Sequence, residues 1–115
     1  MGNIKTILAG LSLMMAVGMP AVASDELTMV VGTYTDQSTS DGMYVYRFNQ
    51  RTGKSQLVSN VQADNPSFLM MNHKANRVYA VSEYDDGRQS LGAFILNKKE
   101  GTMTPLGYQK CGTKA

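Results

Sequence analysis

Alternating apolar residues dominate the chain after residue 24. In the segments MYVYRF (43–48) and RVYAVSE (77–83), successive side chains of an extended chain fall on opposite faces, and both faces are mainly apolar. Strands of this kind are normally covered on both sides. No segment after residue 24 keeps the period of an amphipathic helix. The pattern predicts an all-β fold with seven strands, at residues 27–35, 43–49, 56–63, 66–72, 77–84, 91–97 and 103–110.

The turns between these strands repeat along the sequence. NQRTG (49–53) and NKKEG (97–101) share the form Asn-x-x-x-Gly. In each, the Asn can bond the backbone ahead of it and the Gly accepts a positive φ. Tyr34 and Tyr84, which end two earlier strands, are separated by nearly the same length of chain as the two turns, and we assign the small difference to the intervening loop. An all-strand repeat with a period of about 50 residues is typical of a β-propeller blade.

The seven strands do not divide evenly between two blades. Residues 66–110 supply one complete four-stranded blade, whereas residues 27–63 match only the last three strands of another. Propellers often close by combining strands from both ends of the chain in one blade. We therefore expect residues 24–115 to be the N-terminal part of an incomplete propeller, with exposed strand edges that favour self-association. A small two-sheet sandwich is the alternative.

Residues 1–23 have the features of a secretory signal peptide. Lys5 precedes an apolar stretch at residues 7–17, and Ala21-Val22-Ala23 predicts cleavage after Ala23. The stretch is shorter than a membrane span of about 20 residues. We expect an exported protein, periplasmic or secreted, with no stable membrane span after cleavage. An uncleaved anchor and an N-terminal amphipathic helix of the domain are the alternatives.

Composition excludes several classes of protein. The 11 basic and 9 acidic residues are dispersed and give a net charge of +2, so we expect no nucleic-acid partner. Cys111 is the single cysteine, which excludes an internal disulfide and favours a spare thiol over a nucleophile. Asp85, Asp86 and Gly87 look like the start of a calcium loop, but the remaining ligand spacing is absent. We expect no metal and no cofactor.

Four segments stand out by their order and spacing: VVGTYT (30–35), GMYVYRFNQRTGK (42–54), ADNPSFLMMNHKANRVYAVSE (63–83) and GAFILNKKEGTMTPLG (92–107). Together they resemble the seven-bladed propeller lactonase family, which includes bacterial 6-phosphogluconolactonases and fungal carboxy-muconate cyclases. The resemblance covers residues 28 to 110 and departs from the family in stopping after one complete blade. NHKANR (72–77) also replaces the family's usual Pro-Asp-Gly-type turn.

The resemblance implies hydrolysis of a small-molecule lactone, the chemistry of a carboxylic ester hydrolase. Glu83 matches the family's strand-end glutamate and would face the central cleft as a base or substrate contact. Asn65, Pro66 and Ser67 precede or begin the innermost strand, and Asn65 and Ser67 would bind substrate. The structural alternatives are a Glu83 that pairs with a cation of the neighbouring blade, and a turn in which Pro66 sets φ and Asn65 acts as a cap.

Other polar residues offer weaker candidates for the site. His73 is the only histidine and lies in a polar turn, so it is a solvated turn residue rather than a base. Arg47 and the other scattered arginines are interpreted as surface charge. The cleft His, Arg and Glu proposed for the family lie mainly in middle blades, so we expect this chain to be inactive alone. A propeller-type binding module and a small self-associating β-domain are the alternative functions.

Overall fold

The computed structural model describes residues 25–111, which form seven strands and no helix. The predicted all-β class and the seven predicted strands are confirmed. The predicted signal peptide lies outside the described residues, and within them no helix exists that could span a membrane. The strands are β1 (Glu26–Gly32), β2 (Gly42–Asn49), β3 (Ser55–Gln62), β4 (Pro66–Met71), β5 (Arg77–Ser82), β6 (Ser90–Asn97) and β7 (Thr102–Lys110).

The strands form two antiparallel meanders, in which each strand pairs with its sequence neighbour. One sheet has the order β1-β2-β3 and the other has the order β4-β5-β6-β7. The predicted four-stranded unit is confirmed, as are its hairpin turns at 73–76 and 98–101. β1 and β5 are shorter than predicted: Glu83, for example, leaves the ladder and donates its backbone N–H to the Asn65 carbonyl at 3.0 Å.

The two repeated turns have the same construction. Gly53 N–H donates to the Asn49 carbonyl at 2.8 Å, and Gly101 N–H donates to the Asn97 carbonyl at the same distance. Both glycines have a positive φ, 78° and 73°, and both asparagines accept backbone N–H bonds through their side-chain oxygens. The turn signature read from the sequence therefore identifies equivalent positions in the two sheets.

A repeated β-bulge extends this equivalence. The pairing shifts between Val45 and Tyr46 in one sheet and between Ala93 and Phe94 in the other, and the two bulges have the same separation along the chain as the two turns. Val30 pairs with Val45, and Tyr79 pairs with Ala93. Equivalent residues of β1 and β5 are therefore one position further apart along the chain than equivalent residues of β2 and β6. The predicted equivalence of Tyr34 and Tyr84 is therefore wrong by one residue.

The registers instead make Glu83 the counterpart of Tyr34. The sequence comparison aligned two identical residue types, whereas the hydrogen-bond ladder fixes which residues lie opposite each other. A shift of one residue reverses the face of every side chain in a strand, so the correction decides how the sheets relate to each other.

The sheets pack front to back. Met43 and Val45 lie at the interface between the sheets and are fully buried, but their counterparts Leu91 and Ala93 lie on the opposite face of the other sheet. In a sandwich, equivalent faces of the two repeats would pack against each other, and Leu91 and Ala93 would then be buried together with Met43 and Val45. The front-to-back order is that of successive propeller blades. The shared core consists of Met43, Ala63, Val78, Ala80, Phe94 and Leu96, with Val30, Val61, Leu69 and Met103 packed against it.

Polar contacts reinforce the apolar interface. The Arg47 guanidinium donates to the carbonyls of Lys98 and Lys99, both at 2.7 Å, and to the Thr28 hydroxyl at 2.7 Å. The Ser59 hydroxyl also bonds the Gly101 carbonyl. The interpretation of Arg47 as a dispersed surface charge was therefore wrong, because the fold brings two turn carbonyls within reach of its planar donor fork.

Candidate functional site

The candidate residues lie at one end of the two sheets. β1 and β5 both end there, and β4 begins there, so the loop 33–41, the linker 63–65 and the loop 83–89 share this end. Gly32 approaches Pro66 so closely that an added Cβ would lie 2.1 Å from the Pro66 carbonyl oxygen. A glycine at this point therefore lets the end of β1 meet the beginning of β4.

Three side chains from the two sheets meet at this end. The Tyr34 hydroxyl donates to Glu83 Oε1 at 2.8 Å. The Ser67 side chain lies beside the Glu83 carboxylate and stabilises its negative charge. Tyr34 follows β1, Ser67 lies in β4 and Glu83 follows β5, so packing of the sheets is required to assemble this cluster. We call Tyr34, Ser67 and Glu83 the carboxylate cluster.

The cluster keeps Glu83 ionised. The Ser67 side chain, and then the hydrogen bond from Tyr34, stabilise the charged form and hold the pKa of Glu83 below its usual range. The same carboxylate, through its hydrogen bond and its negative charge, raises the pKa of Tyr34. At neutral pH the arrangement is therefore a carboxylate next to two neutral hydroxyl groups, and all three are accessible from solvent at the open end.

Asn65 holds the backbone around the cluster. Its side-chain oxygen accepts hydrogen bonds from the backbone N–H of Thr35 at 2.8 Å and of Asp36 at 3.0 Å. Its side-chain NH₂ donates to the Glu83 carbonyl at 3.2 Å. Asn65 is only 4% exposed and has a positive φ of 42°. One buried amide thus connects the residues that follow β1 with the residue that follows β5.

A second group of polar residues borders the cluster. The Arg88 guanidinium lies 3.9 Å from the centre of the Tyr84 ring and forms an ion pair with Asp86 at 2.7 Å. An open groove of about 380 Å³ runs along Glu83 and this group. The Asp86 carboxylate raises the pKa of Arg88, and Arg88 lowers the pKa of Asp86. The groove therefore offers one cation that is already paired within its own loop.

Two other candidates lie away from this groove. His73 is exposed in the turn between β4 and β5, at the opposite end of β5 from Glu83, which confirms its interpretation as a turn residue. Cys111 is an exposed free thiol at the end of β7. Within residues 25–111 no three His, Cys, Asp or Glu side chains are grouped closely enough to hold a metal.

Residues 28–115 match the model of the lactonase family described as the 7-bladed β-propeller lactonases. The chain belongs to this family. The resemblance on which the sequence prediction rested is thereby confirmed, and the two sheets are blades of a partial propeller. Within residues 25–111, the four-stranded sheet is a complete blade and the three-stranded sheet corresponds to the outer three strands of a blade.

Individual relatives of this propeller agree in fold and in sequence. The chain is 31% identical over 86 residues to a 6-phosphogluconolactonase of Formosa agariphila, covering 73% of this chain and 24% of the relative. A candidate 6-phosphogluconolactonase of Bacteroides fragilis matches with a TM-score of 0.74 and 39% identity over 80% of this chain and 26% of its own. A candidate 6-phosphogluconolactonase structure from Bacteroides uniformis matches with a TM-score of 0.71 and 38% identity, over 74% of this chain and 24% of its own. The chain spans about a quarter of each relative's length.

The propeller geometry brings together most of the residues singled out in the sequence. Glu83 and Ser67 are in contact, and Asn65 lies next to both through the backbone. The partner of Glu83 from the neighbouring blade is a tyrosine hydroxyl rather than the cation that the structural alternative required. Asn65 acts as the cap that the other alternative described, and its contact with substrate stays a prediction.

Sequence reasoning missed Tyr34 as a member of this site. Its position in the GTYT segment was used to measure the repeat and to support the family resemblance, and an alignment on Tyr84 concealed its true counterpart. Alignment on the two Asn-x-x-x-Gly turns and on the strand registers places Tyr34 and Glu83 at equivalent positions. Equivalent positions in adjacent blades lie at the same end and radius of a propeller, and this signal would have brought the two residues together.

Proposed function

We propose that the carboxylate cluster is one wall of a site for sugar-lactone hydrolysis, with 6-phosphogluconolactone as the preferred candidate substrate. The observation that supports it most strongly is the ionised Glu83, held by hydroxyl groups from two blades at the open end of the innermost strand. The family and the names of the relatives supply the reaction class. Three quarters of each relative's length has no counterpart in this chain, so the other walls come from further blades.

The proposed reaction opens the lactone ring with water. The water oxygen forms a bond to the carbonyl carbon, and the bond between that carbon and the ring oxygen breaks. One proton of the water goes to the ring oxygen, which becomes a hydroxyl, and the carboxylic acid formed releases its own proton at neutral pH. The barrier falls when a base accepts the water's proton and donors stabilise the negative oxygen of the tetrahedral intermediate.

Glu83 can serve as a hydrogen-bond acceptor in this reaction. Because its pKa is lowered, it is ionised at neutral pH and accepts a hydrogen bond from water or from a sugar hydroxyl. The same lowered pKa makes it a weak base, so we assign it to positioning water or substrate rather than to full proton removal. Tyr34, whose pKa is raised, retains its proton and fixes the direction of the carboxylate.

A chimeric enzyme tests this assignment. Residues 25–111 would replace the matching segment of the Bacteroides fragilis relative, which is 39% identical, and hydrolysis of 6-phosphogluconolactone would be followed by acid release. We expect Glu83→Gln to reduce kcat/KM by about 10²-fold, the order of loss expected when a reacting group is no longer held in position. Tyr34→Phe and Ser67→Ala should cause smaller losses, because each removes only one of the two side chains that stabilise the Glu83 carboxylate.

Glu100→Gln is the matched control, because Glu100 is exposed in the β6–β7 turn, at the other end of the blade. It removes the same charge and should leave the rate unchanged. An active chimera in which Glu83→Gln behaves like this control would exclude Glu83 from the site. A chimera that folds and binds the lactone without hydrolysing it would favour a binding module.

We also propose that the protein is exported after removal of residues 1–23. The small residues at Ala21 and Ala23 behind a short apolar stretch support the cleavage position. The intact mass of the product recovered from the periplasm or medium of an expressing bacterium measures it directly. A product that retains residues 1–23 contradicts the proposal.

A further inference from the structure

Arg88 is held in place by one edge of its guanidinium group. Its Nε and Nη2 donate to the Asp86 carboxylate at 2.9 Å and 2.7 Å, and its backbone N–H donates to the same carboxylate at 3.2 Å. The Tyr84 ring lies against its flat face. Within residues 25–111, every hydrogen bond of this guanidinium goes to Asp86. The edge formed by Nη1 and Nη2 therefore has donors available for a second anion.

Arg88 lines a second cavity in addition to the groove beside Glu83. This cavity, of about 310 Å³, lies at the open end on the side of the four-stranded sheet that packs against the other sheet. Tyr108, in its wall, makes an edge contact at 6.0 Å with the buried ring of Phe94. We call this cavity the interblade pocket. Its other lining residues are Asp64, Ser82, Tyr84, Ser90 and Lys110.

The groove and the interblade pocket differ in charge. The groove has a single cation, Arg88, and its carboxylates are those of Asp36, Glu83, Asp85 and Asp86. The interblade pocket has two cations, Arg88 and Lys110, and one carboxylate, that of Asp64. The other lysines and arginines within residues 25–111 lie in or next to the turns at the opposite end of the sheets. An anion at the open end is therefore attracted to the interblade pocket and repelled by the groove.

We propose that Arg88 and Lys110 bind the phosphate of a phosphorylated sugar lactone in the interblade pocket, while the lactone ring lies in the groove beside Glu83. This inference rests on the proposed lactonase function. A phosphate ester is mainly dianionic at neutral pH, and its oxygens match the donor fork of a guanidinium group. In 6-phosphogluconolactone the phosphate is attached to the carbon outside the ring. Because Arg88 lines both cavities, the ring and the phosphate lie on either side of it.

The charge difference also fixes the direction of the substrate. Sugar hydroxyl groups donate hydrogen bonds to carboxylates, so they fit the acidic groove, whereas the phosphate does not. In the interblade pocket the hydroxyls of Ser82 and Ser90 supply neutral donors for the remaining phosphate oxygens. Arg88 is then a specificity-determining residue that distinguishes phosphorylated from unphosphorylated lactones.

Phosphate binding by the full chain tests the pocket without any catalysis, because all of the residues that line it belong to this chain. Inorganic phosphate would be titrated at constant ionic strength, with the arginine side-chain N–H signals followed by proton–nitrogen NMR. The Arg88 signals should shift and saturate, and Lys110→Gln should raise the phosphate concentration needed by about tenfold. Glucose 6-phosphate should act like phosphate, and glucose should have no effect.

Arg51 is the matched control within the same spectra. It is also exposed and paired with an aspartate, Asp25, at 3.0 Å, but it lies in a turn at the opposite end. Equal shifts of Arg51 and Arg88, or an Arg88 shift that Lys110→Gln leaves unchanged, would show general ion screening and would overturn the inference. No shift of Arg88 would overturn it as well.

Substrate selectivity of the chimeric enzyme gives the second test. The measured quantity is the ratio of kcat/KM for 6-phosphogluconolactone to kcat/KM for unphosphorylated gluconolactone. Arg88→Gln should lower this ratio by about 10–100-fold, the value of hydrogen bonds to a charged group, mainly through KM for the phosphorylated substrate. Arg51→Gln should leave the ratio unchanged.

The two proposals fail in different ways. Equal losses for both lactones in Arg88→Gln, or no loss, would overturn the phosphate subsite and leave the role of Glu83 intact. A chimera in which Glu83→Gln has no effect would overturn the proposed function, whereas the phosphate titration of the chain would still report on Arg88 and Lys110.

Discussion

The hydroxyl of Tyr34 donates a 2.8 Å hydrogen bond to the carboxylate of Glu83, and the two residues occupy equivalent positions in adjacent blades. A repeat that places a proton donor in one blade and an acceptor in the next thus produces a polar pair at the propeller's open end. Ser67, at the beginning of the innermost strand, is the other side chain that stabilises the charge of this carboxylate.

Removal of either hydroxyl should raise the pKa of Glu83. Tyr34→Phe removes the 2.8 Å hydrogen bond to the carboxylate, and Ser67→Ala removes the other side chain that favours its charged form. Carbon-13 NMR titration of the Glu83 side chain measures the effect directly. Identical titration curves for the wild type and both variants would show that these contacts do not persist in solution.

The same interactions give stability a defined dependence on pH. Because folding lowers the pKa of Glu83, its contribution is complete above the pKa of the unfolded state and is lost as pH falls through the folded value. The difference in unfolding free energy between the wild type and Glu83→Gln should therefore shrink on acidification. This difference in free energy stays small, because the carboxylate cluster is exposed to solvent and water screens the charge.

Asn65→Ala should be the most destabilising of the site substitutions. It leaves the backbone N–H groups of Thr35 and Asp36 without their buried acceptor and places Ala at a φ of 42°. We expect a loss of about 2–4 kcal/mol in the free energy of unfolding. Asn60→Ala is the control, because the Asn60 side chain bonds only Asp41 at an exposed site. Equal effects of the two substitutions in urea unfolding would contradict the capping role of Asn65.

The repeated glycines permit a matched test of blade packing. Gly53 and Gly101 have nearly the same positive φ, so replacement by Ala strains the backbone at both positions by about 1 kcal/mol. A Cβ at Gly53 meets nothing within 4 Å, whereas one at Gly101 would lie 2.7 Å from Cγ1 of Val58 in the neighbouring blade. Gly101→Ala should therefore lower the free energy of unfolding by roughly 1–3 kcal/mol more than Gly53→Ala. Equal losses would show that the blades separate at this turn.

The sequence predicted what depends on local pattern and missed what depends on contact between sheets. The two Asn-x-x-x-Gly turns and the alternating strands located the blades because their causes lie within a few residues. The reach of Arg47 to the Lys98 carbonyl spans 51 residues, and no local pattern indicates it. Glu83 and Ser67 came from a family resemblance, whereas Tyr34 required a register that only the paired strands define.

The last prediction concerns the chain by itself, which should not hydrolyse sugar lactones above the rate of the buffer. Catalysis requires a base, donors for the oxyanion and a bound substrate in one enclosed pocket. Here Glu83 lies in an open groove, and Arg88, which lines the same groove, is already bound to Asp86. Without an opposing wall, each interaction with a lactone competes with water and is weak. Acid release from 6-phosphogluconolactone should therefore be the same for the chain, for Glu83→Gln and for buffer. Turnover that disappears in Glu83→Gln would show that this chain assembles a working pocket.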